Sequence, residues 1–142
     1  MSEGHKDYSA TPLWKKLGVR EGSRVFFAGQ PEGFRAELSR LAPLPPGVEI
    51  MARAANGLDV AVVFGIAAAD LAARFSSLVP RIEQDGRLWV AWPKKAAKMP
   101  TDVTFEVVQA MGLSAGLVDN KTAAISEVFQ GLQFVYRLAD RR

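Results

Sequence analysis

Apolar positions recur along the chain in two different rhythms. The runs "RVFFAG" (24–29) and "DVAVVFG" (59–65) are β-branched and aromatic with little polar alternation, as in strands covered on both faces. "RLWVAW" (87–92) is a third such run, and "VEIMA" (48–52) is a weaker one. Between them apolar residues fall three and four apart, the helical spacing. Leu13 and Leu17 share a face of a short segment that Thr11 can cap, Pro12 can open and Gly18 can end. Pro31 opens a stripe of Phe34, Leu38 and Leu41, which "PLPPG" breaks. Leu71, Phe75, Leu78 and Ile82 form the next stripe, with Asp70 and Arg74 placed to pair one turn apart. "QDG" (84–86) reads as a turn into 87–92. Val103, Val107, Val108 and Met111 mark a last helix, begun by Thr101 or Asp102 and ended by Gly112. Two closing strands are expected, 117–125 and 132–138, joined by "SEVFQG".

The order is strand, helix, strand, strand, helix, strand, helix, strand, strand. Alternation of doubly covered strands with helices predicts a single-domain, Rossmann-like α/β three-layer sandwich with a mostly parallel sheet. The short final connection makes the last two strands an antiparallel pair, because parallel neighbours need a crossover of about a dozen residues. The step from 52 to 59 is too short for a helical crossover. Either the chain passes over the first strand as an extended loop, or 48–52 is an edge strand of open direction. Residues 1–7 carry no pattern and are expected to be a flexible tail, with one domain over 8–142.

Composition narrows the chemistry. The chain has 142 residues, enough to bury a core, and its 18 basic and 15 acidic residues leave a net charge of +3. So small an excess does not select nucleic acid, whose binders show clustered basic stripes. The clusters here are Lys94, Lys95 and Lys98, and Arg137, Arg141 and Arg142, without aromatic interleaving. The absence of cysteine excludes disulfides, thiolate metal sites and cysteine nucleophiles. The sole histidine, His5, lies in the expected tail, so neither a Ser–His–Asp triad nor a His-ligated metal centre can be assembled. The longest apolar run, 60–69, is too short to span a bilayer, and "MSEGHKDYSA" holds no secretory core, so a soluble cytoplasmic protein is expected.

Three stretches can be read as sites. "GQPEGF" (29–34) follows a strand as a phosphate-binding loop would, but Pro31 removes an amide and Glu32 puts a carboxylate where the phosphate would sit. The plainer reading is a strand-to-helix turn, and neither G-x-G-x-x-G nor G-x-x-x-x-G-K-[ST] occurs. Asp59, Asp70, Asp85, Asp102 and Asp119 have no spacing that selects acid–base or metal work over capping and turns. The stretch "LWVAWPKKAAKMPTDV" (88–103) is the strongest candidate. Trp92, Lys94 and Lys95 fall at the carboxyl end of a strand, where open α/β sheets bind ligands, and Thr101 or Asp102 starts the following helix. Two ammonium groups, helix amides and an indole wall could hold a small anion. Solvated lysines and packed indoles are the plainer alternative. Trp14, between Leu13 and Lys15, is either an interface anchor or, more simply, folded onto its own domain.

The phrases "YSATPLWKKLGV" (8–19), "LWVAWPKKAAKMPTDV" (88–103) and "GLVDNKTAAISEVFQGLQFV" (116–135) resemble an uncharacterised bacterial family with no established activity. More remotely, "RIEQDGRLWVAWPKK" (81–95) and the closing strand pair are similar to Rossmann-like S-adenosylmethionine (SAM)-dependent methyltransferases. That resemblance implies a glycine-rich loop after the first strand and an acid after the second. This chain offers only Gly29 and Gly33 in the first place and "MARAANG" in the second, and a helix–strand pair is missing.

The expectation is therefore a non-catalytic binding or regulatory module on a Rossmann-like scaffold, with no catalytic residue, no metal and no resident cofactor. A protein partner or a small anionic ligand would meet it at Gly29, Trp92, Lys94, Lys95, Thr101 and Asp102. The alternatives are a degenerate methyltransferase-like domain binding a nucleoside or SAM near Gly29 and Trp92, and a weak nucleic-acid binder through Lys94, Lys95 and Lys98.

Overall fold

A computed structural model describes residues 11–141. The expected tail at 1–7, with His5, lies outside the described residues. The chain runs α1 (Leu13–Leu17), β1 (Arg24–Ala28), α2 (Phe34–Leu38), β2 (Glu49–Ile50), β3 (Leu58–Phe64) and α3 (Ala68–Leu78). It continues through β4 (Ile82–Pro93), α4 (Phe105–Ser114), β5 (Leu117–Ala124) and β6 (Phe129–Tyr136). The six strands lie in the order β2-β1-β3-β4-β6-β5. β2, β1, β3 and β4 are mutually parallel, and β6 is antiparallel to both β4 and β5. The three-layer α/β sandwich and its closing antiparallel pair are thus as the pattern predicts.

Alternation along the strands sends side chains into two cores. Val25, Phe27, Val60, Val62, Phe64 and Trp89 pack under α1 and α2. Ala61, Val63, Leu88, Val90 and Trp92 pack under α3 and α4 with Leu71, Phe75 and Val108. Each large side chain taken wholly from water contributes about 1.5–3 kcal/mol, so β3 and β4, buried on both faces, anchor the fold. Trp89 and Trp92 face opposite layers, as their spacing requires. The Trp89 indole donates to Leu17 O at 3.0 Å, fixing α1 on the sheet. Trp14 takes the plainer of its two readings, donating to Ala42 O at 3.0 Å.

β2 is a parallel edge strand, and residues 51–57 cross β1 as a loop without a helix. Both halves of the open question at 48–59 are answered together.

Several boundaries differ from expectation. The stripe of α3 stops at Leu78, and Ile82 opens β4. "QDG" lies inside β4, where one residue of β3, Asp59, opposes four of β4, 83–86, between the pairs Leu58–Ile82 and Val60–Arg87. Gly86 permits that bulge, since a Cβ there would come within 2.9 Å of Leu58 O. α2 ends at Leu38, leaving Leu41 exposed. α4 starts at Phe105, with the Thr104 hydroxyl accepting from Val107 N at 3.2 Å, so neither Thr101 nor Asp102 caps it. Gly112 does not end α4. It is buried within the helix, where any Cβ would collide with the Phe134 ring. The closing strands also shift: β6 begins at Phe129, and Leu138 lies beyond its end, highly exposed.

Candidate functional site

β1 and β3 run parallel side by side, yet the chain leaves β1 toward β2 on one side and reaches β3 on the other. Such a reversal opens a crevice beyond the carboxyl ends of the two strands. Gly29 forms one lip, with φ of 73°, and Phe64 O the other. The crevice is occupied by Arg74 of α3. Its Nη1 donates to Phe64 O at 3.2 Å, and a Cβ at Gly29 would collide with the same nitrogen. The expected Asp70–Arg74 pair is absent: the ion pairs of the described residues are Arg24–Glu49 and Arg40–Glu37. The backbone carbonyl wins because Arg74 reaches across the strand end rather than back along its own helix.

The loop after Gly29 turns tightly, with Phe34 N donating to Pro31 O at 3.1 Å, and feeds a helix of only five residues. It is the strand-to-helix turn of the plainer reading. Phe34 is buried over the strand ends, edge-to-face with Phe27 at 4.8 Å and Phe64 at 5.0 Å. Beside it lies a cleft of about 680 Å³, lined by Pro31, Phe34, Glu37, Phe64, Met99 and Phe129 among others.

A second cleft, of about 630 Å³, lies past the end of β4. Trp92, Lys94, Lys95, Thr101, Phe105 and Gln130 line it, and Met99 lines both clefts, so the two lie side by side, together forming a trough divided at Met99. The structure therefore brings together Trp92, Lys94, Lys95 and Thr101. Trp92 presents little surface, at 3% exposed, and its ring lies 6.5 Å from that of Phe105. The Lys94 amide donates to Val128 O at 2.8 Å, while the Lys95 side chain is exposed on a short 3₁₀ turn. That turn closes at Lys98, whose φ of 54° is the one positive value at a non-glycine residue among those described.

Gly29 and Asp102 do not join this group. Gly29 stands at the β1–β3 crevice under Arg74. Asp102 Oδ1 accepts from Ala68 N at 2.7 Å, capping α3 from 34 residues away, and Thr101 Oγ1 donates to Ile66 O at 2.6 Å. These two residues staple the wall of the trough to the loop after β3. Sequence reasoning missed Met99 as a trough residue and Arg74 as the occupant of the crevice. Arg74 was obscured by its local i,i+4 partner, and Met99 carries no signal in the sequence.

Among the described residues no group of three or more His, Cys, Asp or Glu could hold a metal ion, and no helix is long and apolar enough to cross a membrane. Among the described residues, Lys94 and Arg137 lie toward opposite ends of β6. Lys94 follows Pro93, which pairs with Phe129 at the start of β6, whereas Arg137 follows Tyr136 at its far end.

Neither family models nor curated proteins match the sequence, so the three phrases stand without a matching family model. Solved structures do match. Magnesium protoporphyrin IX methyltransferase from Synechocystis PCC 6803 with bound SAM is 10% identical, with a TM-score of 0.61 over 94% of this chain and 79% of that one. Ribosomal protein L11 methylase from Lactobacillus delbrueckii subsp. bulgaricus is also 10% identical, with a TM-score of 0.58 over 96% and 81%. A SAM-dependent methyltransferase from Thiobacillus denitrificans, in complex with S-adenosyl-L-homocysteine, is 13% identical, with a TM-score of 0.55 over 88% and 89%. At such identities the likeness is one of fold: this chain has the Rossmann-like architecture found in SAM-dependent methyltransferases.

Proposed function

We propose that this domain binds a nucleoside-containing ligand of the SAM class in the trough along the carboxyl ends of β1, β3 and β4. The observation that carries the reading is the trough itself, lined from Phe34 to Lys94 past the ends of β3 and β4 and beside the place where the strand order reverses. Support comes from the fold it shares with enzymes solved with SAM or its demethylated product. Met99, exposed over the nearly sealed rings of Phe34 and Phe64, offers apolar surface to a base. Lys94 and Lys95 offer charge to a carboxylate, and Arg74 stands at the crevice with a guanidinium held by a single carbonyl bond. The residues after β2, Met51 to Arg53, include no carboxylate to hold a ribose, so binding is expected to be weak. The reading is one of binding and assigns no methyl acceptor.

One observation favours a second reading, a binding or regulatory module whose crevice is shut. Arg74 fills the space above Gly29. Thermal unfolding with S-adenosylhomocysteine, SAM and adenosine separates the two. A ligand at about 100 times its Kd stabilises the folded state by about 2.7 kcal/mol, a shift of several degrees in Tm. A shift in the parent that shrinks in Lys94→Ala/Lys95→Ala supports the open trough. A shift seen only in Arg74→Ala supports the shut crevice. No shift in either protein rejects ligands of this class.

A further inference from the structure

A further cleft, of about 860 Å³, adjoins the one past β4 and curls around the free edge of β5. On the α4 side of the sheet it is lined by Trp92, Phe105, Thr122 and Gln130. On the α1 side it is lined by Lys15, Lys16 and Ala123. β5 pairs only with β6 and ends the sheet, so over eight residues half of its main-chain donors and acceptors face outward.

The charge lining this cleft is of one sign, and Asp119 of β5 is engaged by Gln109 Nε2. Lys15, Lys16, Lys94 and Lys121 line the cleft, and no Asp or Glu does. Lys121 donates to Lys16 O at 2.9 Å. Its pKa is held below the usual lysine value by burial first, then by the nearby charges of Arg87 and Lys16. Arg87 donates to the buried Gln133 amide at 3.2 Å rather than to a carboxylate. The cations of this region therefore face one another.

We propose that β5 is a strand-addition site for an acidic, extended segment of a partner protein, whose backbone pairs with the β5 edge while its carboxylates meet Lys15, Lys16, Lys94 and Lys121. The edge supplies the main-chain pairing and the lysines supply selectivity of charge, the two components of strand-addition recognition. A second copy of this chain fits less well, because edge-to-edge pairing would bring together the lysines that flank β5 in each copy, Lys15, Lys16 and Lys94. Single-stranded nucleic acid fits less well, because stacking needs an open aromatic face and Trp92 is buried. The cleft adjoins the trough, the two sharing Trp92, Lys94, Phe105 and Gln130, so the test leaves Lys94 in place and varies only lysines that line this cleft alone.

The test uses a fluorescein-labelled, end-capped peptide of alternating glutamate and valine, matched in length to β5. Fluorescence anisotropy measures its affinity, and hydrogen exchange with mass spectrometry locates it. Binding is expected to weaken as salt rises and to drop about tenfold or more in Lys15→Gln/Lys16→Gln/Lys121→Gln. The parent Tm of that variant establishes that it is folded. Amides of 121–124 should exchange more slowly with peptide bound. Three outcomes overturn the proposal: affinity unchanged in the triple variant, no protection on β5, or tighter binding of an oligothymidylate than of the peptide. Dimerisation of the unliganded protein in sedimentation, with the amides of 121–124 protected in the dimer, would likewise replace the partner by a second copy.

Discussion

The two edges of the sheet are built on opposite plans. β2 has two residues, pairs only with Arg24 and Val25, and is followed by a loop that carries the chain over β1. β5 has eight residues, a register shift around Asn120, and Lys121 beside it. Shortness and charge are both known ways of keeping an edge from pairing indiscriminately. They differ in what they leave behind. A short edge has almost no main chain to offer. A charged edge repels its own kind and keeps its donors and acceptors for an oppositely charged segment.

The comparison breaks most readily at Gly112, which lets α4 lie on the Phe134 ring and so supports the β6–β5 side of the sheet. Gly112→Leu is expected to cost about 3 kcal/mol or more in urea unfolding. Hydrogen exchange should show β5 and β6 loosening more than β1 and β2. At the other edge, Ile50→Ala removes a half-buried side chain and should cost about 1 kcal/mol. The register shift of β5 is tested by Asn120→Ala. Asn120 Oδ1 accepts from Gln133 Nε2 at 2.7 Å, and Gln133 is 1% exposed. Leaving that amide unpartnered should cost about 1–2 kcal/mol, read as a lowered urea midpoint. Asp102→Ala acts between the edges, freeing Ala68 N at the start of α3, and should lower stability by about 1 kcal/mol.

The smallest effect is one of pH. Lys121 titrates below its ordinary value of 10.5 in the folded protein. Between that lowered pKa and 10.5 the unfolded chain binds more protons, so stability rises with pH through this window. Below it the charged ammonium carries its full unfavourable contribution. Urea midpoints measured across the alkaline range should climb slightly in the parent, and Lys121→Gln should remove that part of the climb.

Much of this arrangement was legible before any coordinates. The runs at 59–65 and 87–92 are β-branched and aromatic because both faces are buried, and a pattern of burial is what sequence displays. The crowding of Trp92, Lys94, Lys95 and Thr101 followed from where a parallel strand must end. What escaped depends on partners remote in sequence. Thr101, Asp102 and Thr104 all have capping chemistry, and only the approach of Ala68 turns Asp102 to another helix. Gly86 and Gly112 resemble stops because glycine serves both turns and close contacts, and local sequence does not distinguish them. The crevice arginine and the unpaired charge at Lys121 were hidden for the same reason.

The opposed tryptophans of β4 give the molecule two internal optical reporters. Trp89 is sealed under α1 with its indole bonded to Leu17 O, and Trp92 lies across the sheet beside Phe105. Emission from a Trp92→Phe variant would follow the α1 layer, with Trp14 adding to the same side. Emission from Trp89→Phe/Trp14→Phe would follow the α4 layer alone. Unfolding curves from the two would coincide if the layers melt together and separate if one slips first.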